Sequence, residues 1–467
     1  MLLADANPYV PSPTWLNSGD TAWQLTAATL VGLMSLPGLA ILYGGLVKKK
    51  WALNSAVMCF YAFSIVLIAW MLWGYNMAFG DASPLKIGAL ANFVGIPHPA
   101  LGAESEIGQA HIPLAGSGFP PLRFAGSAMI YFQFVFAAIT PLLIAGSVLG
   151  RMNFKAWMIF VPVWSTFVYT VGAFSIWGGG WLAQLGAVDY SGGYVIHLAA
   201  GVSGFTAAAI IGPRLLEDRK DFEPNNLIMA FAGAGILWLG WNGFNGGDPY
   251  FANHDAAAAV LNTNIATALA LLCWLILDMF AIKKPNAVSM INGMITGLVA
   301  ITPAAGYVDG YGAMAIGIVA GTLSWVSLNK IGQLSLLERV DDTFGVLHTH
   351  GVAGLIGGLM VGVVGNPAMV EYLSTDKKTP AVSVGGFAYG GGFHQLSVQA
   401  IAALAVIVFN AVMTFIVLKV IGLVVPLRAS DSEIEGGDLA IHGVDPMPVY
   451  PAPPRIRPTA AGGAPAN

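Results

Sequence analysis

Long apolar runs alternate along this chain with short polar or charged stretches, and each run has about the length needed to cross a bilayer. A helix needs roughly 20 apolar residues to span the hydrocarbon core. Cutting the chain where charges interrupt the runs gives candidate spans at 21–47, 51–80, 124–150, 156–177, 190–213, 224–247, 256–282, 285–303, 310–329, 343–366 and 398–425. The pattern predicts eleven transmembrane helices, an odd number that puts the two termini on opposite sides. Sixteen of the basic residues fall on one side, and only Lys86, Arg123, Lys377 and Lys378 on the other. This positive-inside bias predicts an N-terminus outside and a cytoplasmic C-terminus. Residues 1–20 carry three prolines, two aspartates and no basic residue, so they do not read as a signal peptide. The Gly/Pro-rich stretch 81–122 reads as an outer loop. After Arg428 the composition turns to Pro, Gly, Ala and acidic residues, and 449–467 reads as disordered. The expected organisation is one membrane domain, 1–427, and a cytoplasmic tail, 428–467.

Composition sharpens the class. Of the 467 residues 56% are apolar and 9% charged, against about 25% charged in soluble domains, which excludes an ordinary soluble enzyme. The 58 glycines suit close helix packing in a membrane. A net charge of −4 with no large basic patch excludes nucleic acid as a partner. Cys59 and Cys273 lie in apolar runs and form neither a disulfide framework nor a metal motif. The expectation is an all-α polytopic protein, multi-pass in the inner (plasma) membrane, with the lipid bilayer as partner and with no cofactor and no metal.

Ionisable residues inside spans are expensive and point to function. Two histidines sit in matching contexts: Asp189, Gly192, His197, Ala200, Gly201, and then Asp342, Gly345, His350, Ala353, Gly354, all offset by 153 residues. The first copy opens the fifth predicted span and the second opens the tenth, in opposite directions across the membrane. The first ten helices therefore read as two inverted five-helix repeats, an arrangement that places transport sites at the repeat interface near the midplane. Each histidine stands eight residues beyond an aspartate, a helical rise of about 12 Å. A lone buried histidine would read as hydrogen-bonding glue between helices, worth about 0.6 kcal/mol; two brought together by a repeat read as a polar element in a conducting path. Without a third His, Cys or Glu nearby they make a poor metal site. His348 points to another helix face and reads as a packed or hydrogen-bonded residue. Asp189 and Asp342 stand where carboxylates cap exposed helix N–H groups, so both read as structural organisers, Asp189 with an indirect part in cation binding.

These residues resemble the ammonium transporters of the Amt/Mep/Rh superfamily, on its Amt branch. Asp189-Tyr-Ser-Gly-Gly-Tyr-Val-Ile-His197 is similar to the family signature, with Ser191 in place of the usual alanine. Pro37-Gly-Leu-Ala-Ile-Leu-Tyr-Gly-Gly45, Trp177-Gly-Gly-Gly180, Gly240-Trp-Asn-Gly-Phe-Asn245, Thr302-Pro-Ala-Ala-Gly306 and His350-Gly-Val-Ala-Gly354 resemble family blocks in the same order. The resemblance implies an eleven-helix fold with a pore in each subunit of a homotrimer, and ammonium/ammonia, with methylammonium as an analogue, as substrate. It makes His197 and His350 the pore histidines, Phe132 and Phe244 the outer gate, Trp164 the outer-vestibule tryptophan and Trp241 a pore-lining residue. Asp248 stands where many bacterial members have serine; it would either add a negative charge to the recruitment site formed with Trp164 and Phe132 or, preceding Pro249, only start a turn of the outer loop. Gly150 replaces the glutamate that usually precedes Arg151. The tail keeps Glu-x-Glu-Gly and His-Gly elements but departs at its end, where a PII-type regulatory protein would act.

The chemistry gives the resemblance a mechanism. Dehydrating a small cation costs several kcal/mol, and an apolar pore offers no carbonyl ring to replace the water. Ammonium can instead lose a proton, so selectivity can come from deprotonation, with ammonia passing the gate to the histidines. Two other classes compete. An ammonium sensor on the same fold would need a partner to read it, and an intramembrane hydrolase would need a Gly-x-Ser-x-Gly or His-Glu-x-x-His motif that the chain lacks.

Overall fold

The computed structural model describes residues 12–81, 93–114, 121–220, 223–369 and 384–445; the segment read as disordered, 449–467, lies outside them. Among the described residues the chain is helical, without strands beyond two isolated bridges. The apolar helices are α1 (Ser18–Leu46), α2 (Lys49–Phe79), α3 (Gly126–Val148), α4 (Phe154–Gln184), α5 (Gly193–Ile211), α6 (Leu227–Gly247), α7 (His254–Ala281), α8 (Ala287–Ile301), α9 (Gly310–Gln333), α10 (Leu347–Val364) and α11 (His394–Ile421). Ten are long and apolar enough to cross a membrane, and α8, with 15 residues, is shorter.

Side chains at the loop ends start these helices. Asn17, Asn153, Asn226, Asn253 and Asn286 each accept a backbone N–H from the first turn of α1, α4, α6, α7 and α8, and Asp309 does so for α9. Such caps satisfy donors that have no intrahelical partner. The middle of the bundle is α3, buried along nearly its whole length and packed by α1, α2 and α5. Helices α5 and α10 cross at small residues: a methyl group on Gly201 would run into the backbone of Gly351, and one on Gly354 into the backbone of Gly193 and Leu198.

Both of these helices begin later than the sequence pattern predicts. Helix α5 starts at Gly193 and α10 at Leu347, so His197 and His350 stand within the first two turns rather than eight residues along a helix from their aspartates. The cause is a turn at Gly192 (φ 112°) and Gly345 (φ 67°), a left-handed conformation that glycine adopts at least cost. Each helix opens with a wide turn; His197 N–H, for example, reaches back five residues to the Gly192 carbonyl.

At the other end of the bundle, the loop before α10 is held by buried charge. Arg151 donates to the Gly212 carbonyl (2.7 Å), to the Thr343 hydroxyl (2.7 Å) and to the Asp341 carbonyl. Arg214 pairs with the Asp341 carboxylate at 2.7 Å. Gly150 lies in the left-handed region (φ 84°), which explains a glycine where the resemblance expects glutamate. The tail folds back on the same end. Ser430 caps α12 (Asp431–Gly436) reciprocally with Glu433. Asp438, at the start of α13 (Asp438–His442), accepts the Leu53 and Asn54 N–H groups at 2.8 and 2.7 Å.

Candidate conduction site

Four helices bring aromatic and imidazole rings into one buried file. Phe132 and Phe136 are one turn apart on the same face of α3, with ring centroids 4.8 Å apart. Phe136 stacks on Phe244 of α6 at 4.2 Å. Trp241, one turn back on α6, lies 5.0 Å from Phe244 and stacks on His197 of α5 at 5.2 Å. The file ends at His350 of α10, whose Nδ1 lies 3.3 Å from Nδ1 of His197. All six side chains are buried.

A hydrogen bond between two Nδ1 atoms assigns the tautomers as a pair: one ring donates its Nδ1–H and keeps a bare Nε2, and the other accepts and carries its proton on Nε2. The pair therefore offers one donor and one acceptor at its two ends. Nε2 of His197 is buried and has no hydrogen-bond partner in the protein.

The surrounding polar groups hold this file in place. The Asp189 carboxylate accepts four backbone N–H groups, from Gly192 (3.0 Å), Gly193 (2.7 Å), Tyr194 (2.8 Å) and Val195 (2.9 Å). Burial raises its pKa above the usual carboxylate range and these four donors pull it back. Asp342 accepts from Leu347 N–H at 2.8 Å. Trp241 Nε1–H donates to the Thr302 hydroxyl at 2.8 Å, and the Ser191 hydroxyl donates to the Phe244 carbonyl at 2.9 Å. The sequence blocks around Asp189, Gly240 and Thr302 thus converge on one centre.

A profile of the Ammonium Transporter Family matches residues 22–446. This chain belongs to the ammonium transporter family. It is similar to Ammonium transporter 2 of Arabidopsis thaliana, 51% identical over 444 residues, covering 94% of this chain and 90% of the relative. It is also similar to Ammonium transporter 3 member 3 of Oryza sativa subsp. japonica, 49% identical over 450 residues, covering 94% of this chain and 91% of the relative. Its fold matches the crystal structure of Saccharomyces cerevisiae Mep2 with a TM-score of 0.77 at 28% identity, covering 92% of this chain and 93% of that one. A structure titled Sensor Amt Protein matches with a TM-score of 0.75 at 25% identity, covering 90% of this chain and 97% of that one.

Within this family fold, the rings gathered around Phe244 include two residues that the resemblance did not assign, Phe136 and Trp177. The ring stacked on Phe244 is Phe136, four residues along α3 from the expected Phe132. The Phe-x3-Phe spacing puts both rings on one face of α3 and does not by itself say which of them meets Phe244. Trp164 does not join the file: it lies against Phe160, and its Nε1–H donates to Thr414 of α11 at 3.0 Å. Besides Trp241, the tryptophan that meets the phenylalanines is Trp177, edge-on to Phe136 at 6.1 Å, with its Nε1–H donating to the Asp189 carbonyl at 2.7 Å. It belongs to the Trp-Gly-Gly-Gly turn already singled out in the sequence. His348 lies apart from the file, its Nδ1 2.8 Å from the Ser327 hydroxyl of α9.

Asp248 is also placed differently from a solvent-exposed mouth residue. It caps the C-terminus of α6 and is buried, at 7% relative exposure. Its Oδ2 has no hydrogen-bond partner. Two residues on, Tyr250 takes a positive φ of 62°, which sets its ring edge-on to Phe132 at 6.1 Å and its hydroxyl to accept from Gln133 Nε2 at 2.8 Å.

Proposed function

We propose that this chain carries ammonium across the plasma membrane by stripping it of a proton and passing ammonia along the phenylalanine–histidine file. The observation that carries the reading is the His197–His350 pair, in direct hydrogen-bond contact, with the His197 ring stacked on Trp241 and tilted against Phe244. The cation is held beside Trp177, Phe136 and Phe132, whose faces each contribute about 0.5 to 2 kcal/mol, and is drawn by the Asp248 carboxylate. Ammonia then slips between Phe136 and Phe244 and hydrogen-bonds to the neutral imidazoles, whose donor and acceptor ends suit a molecule that is both. Relatives at about half identity are named as ammonium transporters, and neither a sensor nor a hydrolase has better support.

We read all eleven apolar helices as crossing, with the N-terminus outside, residues 1–427 as the membrane domain and 428–467 as a cytoplasmic tail. The α5–α10 crossing supports the inverted repeat: Gly201 meets Gly351 while Gly354 meets Leu198, and these two contacts exchange under the 153-residue offset. Three copies form the working unit, and a PII-type protein would meet the face where Asp438 caps α2. The test is ammonium uptake by liposomes holding only this protein. Saturable uptake that excludes potassium supports the proposal, and no uptake by the folded protein overturns it.

A further inference from the structure

Deprotonation needs a base on the side from which the ion arrives, and few groups there have a lone pair to offer. All four good acceptor directions of Asp189 are taken by backbone N–H groups. Asp20 pairs with Arg123 at 2.7 Å. His197 and His350 lie beyond the stacked Phe136 and Phe244 rings. Asp248 remains: its Oδ2 is buried and unpartnered, and its neighbour Gly247 packs so tightly on the Phe132 ring that even a methyl group there would collide with it.

We propose, resting on the transport reading above, that the Asp248 carboxylate is the base that takes the proton from ammonium at the near end of the phenylalanine stack. The N–H bond breaks with its electron pair left on nitrogen, the proton bonds to Oδ2, and ammonia and a neutral carboxylic acid result. Ammonia passes the rings; the proton returns to water on the Asp248 side, because the rings between Asp248 and His197 offer no atom that carries a proton onward.

The surroundings suit a carboxylate that must hold a proton and then release it. Asp248 stands at the C-terminus of α6, the negative end of the helix dipole, where a proton is retained more strongly. Burial pushes its pKa well above the usual carboxylate range, and the charge of Asp189 raises it further. The other titratable groups facing it are Tyr169 of α4, Tyr250 beyond the α6 turn and Tyr307 after α8. The strained backbone of Tyr250 is the kind of cost found where a side chain is held for function.

Uptake by proteoliposomes as a function of outside pH, over about pH 5 to 8, where ammonium is the main species, tests the assignment against infrared titration of the carboxyl C=O band. Uptake should rise with pH at the midpoint of a carboxyl band that Asp248→Asn removes. Asp248→Asn should lower the maximal rate at least tenfold, and Asp248→Glu should keep transport with both midpoints moved together. The assignment is overturned if Asp248→Asn keeps the maximal rate and raises only the half-saturating concentration, since the carboxylate then only attracts the ion. Midpoints that disagree also overturn it. Should the amide variant fail to assemble, the glutamate variant carries the test alone. Wild-type protein without uptake overturns the transport reading instead, and a band that does not titrate in this range still overturns the role of Asp248.

Discussion

His197 and His350 close the end of the aromatic file, and each is the other's hydrogen-bond partner. Replacing both with alanine should lower ammonium uptake at least tenfold in protein that still elutes as a single species. On the proposed reading Phe136 and Trp177 hold the cation, so Phe136→Ala and Trp177→Ala should each raise the half-saturating concentration by about 2- to 30-fold, the range that cation–π energies allow. Trp164→Ala should leave that concentration unchanged, because its indole N–H is spent on Thr414. The histidine pair was legible in the sequence because one offset relates five residues in each copy. The phenylalanine and tryptophan were legible by type only: Phe132 and Phe136 share a helix face, and their spacing does not say which ring meets Phe244. Asp248 was legible as a charge after the Gly-Phe-Asn motif, but its burial is a matter of tertiary packing that the sequence pattern does not register.

At the scale of elements, Asp189 opens α5 by satisfying four N–H groups that have no helical partner. Asp189→Ala leaves buried donors unmet at about 1 to 3 kcal/mol each, so assembly and uptake should fall together; Asp189→Asn, whose amide oxygen still accepts, should assemble better. The loop before α10 makes a pH prediction. Burial pushes Asp341 up, but the hydrogen bonds and charge of Arg214, helped by Arg151, outweigh it and hold the carboxyl at about 2 rather than 3.8. A folded value below the unfolded one stabilises above the unfolded pKa and is lost as pH falls through the folded one. The unfolding temperature of solubilised protein should therefore drop between about pH 4 and pH 2, and less steeply in Asp341→Asn. Apolar run lengths made the helices themselves legible. The late starts of α5 and α10 were not, because hydropathy does not register a left-handed turn at Gly192 or Gly345.

Across the whole molecule, α6, α7 and α9 leave Ile228, Leu261, Phe280 and Tyr311 exposed, a surface that only lipid or further copies can cover. Light scattering in detergent should give a mass of three chains; a monomer at all concentrations would contradict the assembly. The central claim is that ammonia, not the bare cation, passes along the His197–His350 pair. It is tested most directly by liposomes loaded with a pH indicator and given external ammonium chloride. Wild-type protein should alkalinise the interior as arriving ammonia takes up protons there, and the double histidine-to-alanine variant should not. Uptake of the same amount of ammonium without a rise in internal pH, or full alkalinisation by the folded double variant, would contradict the account.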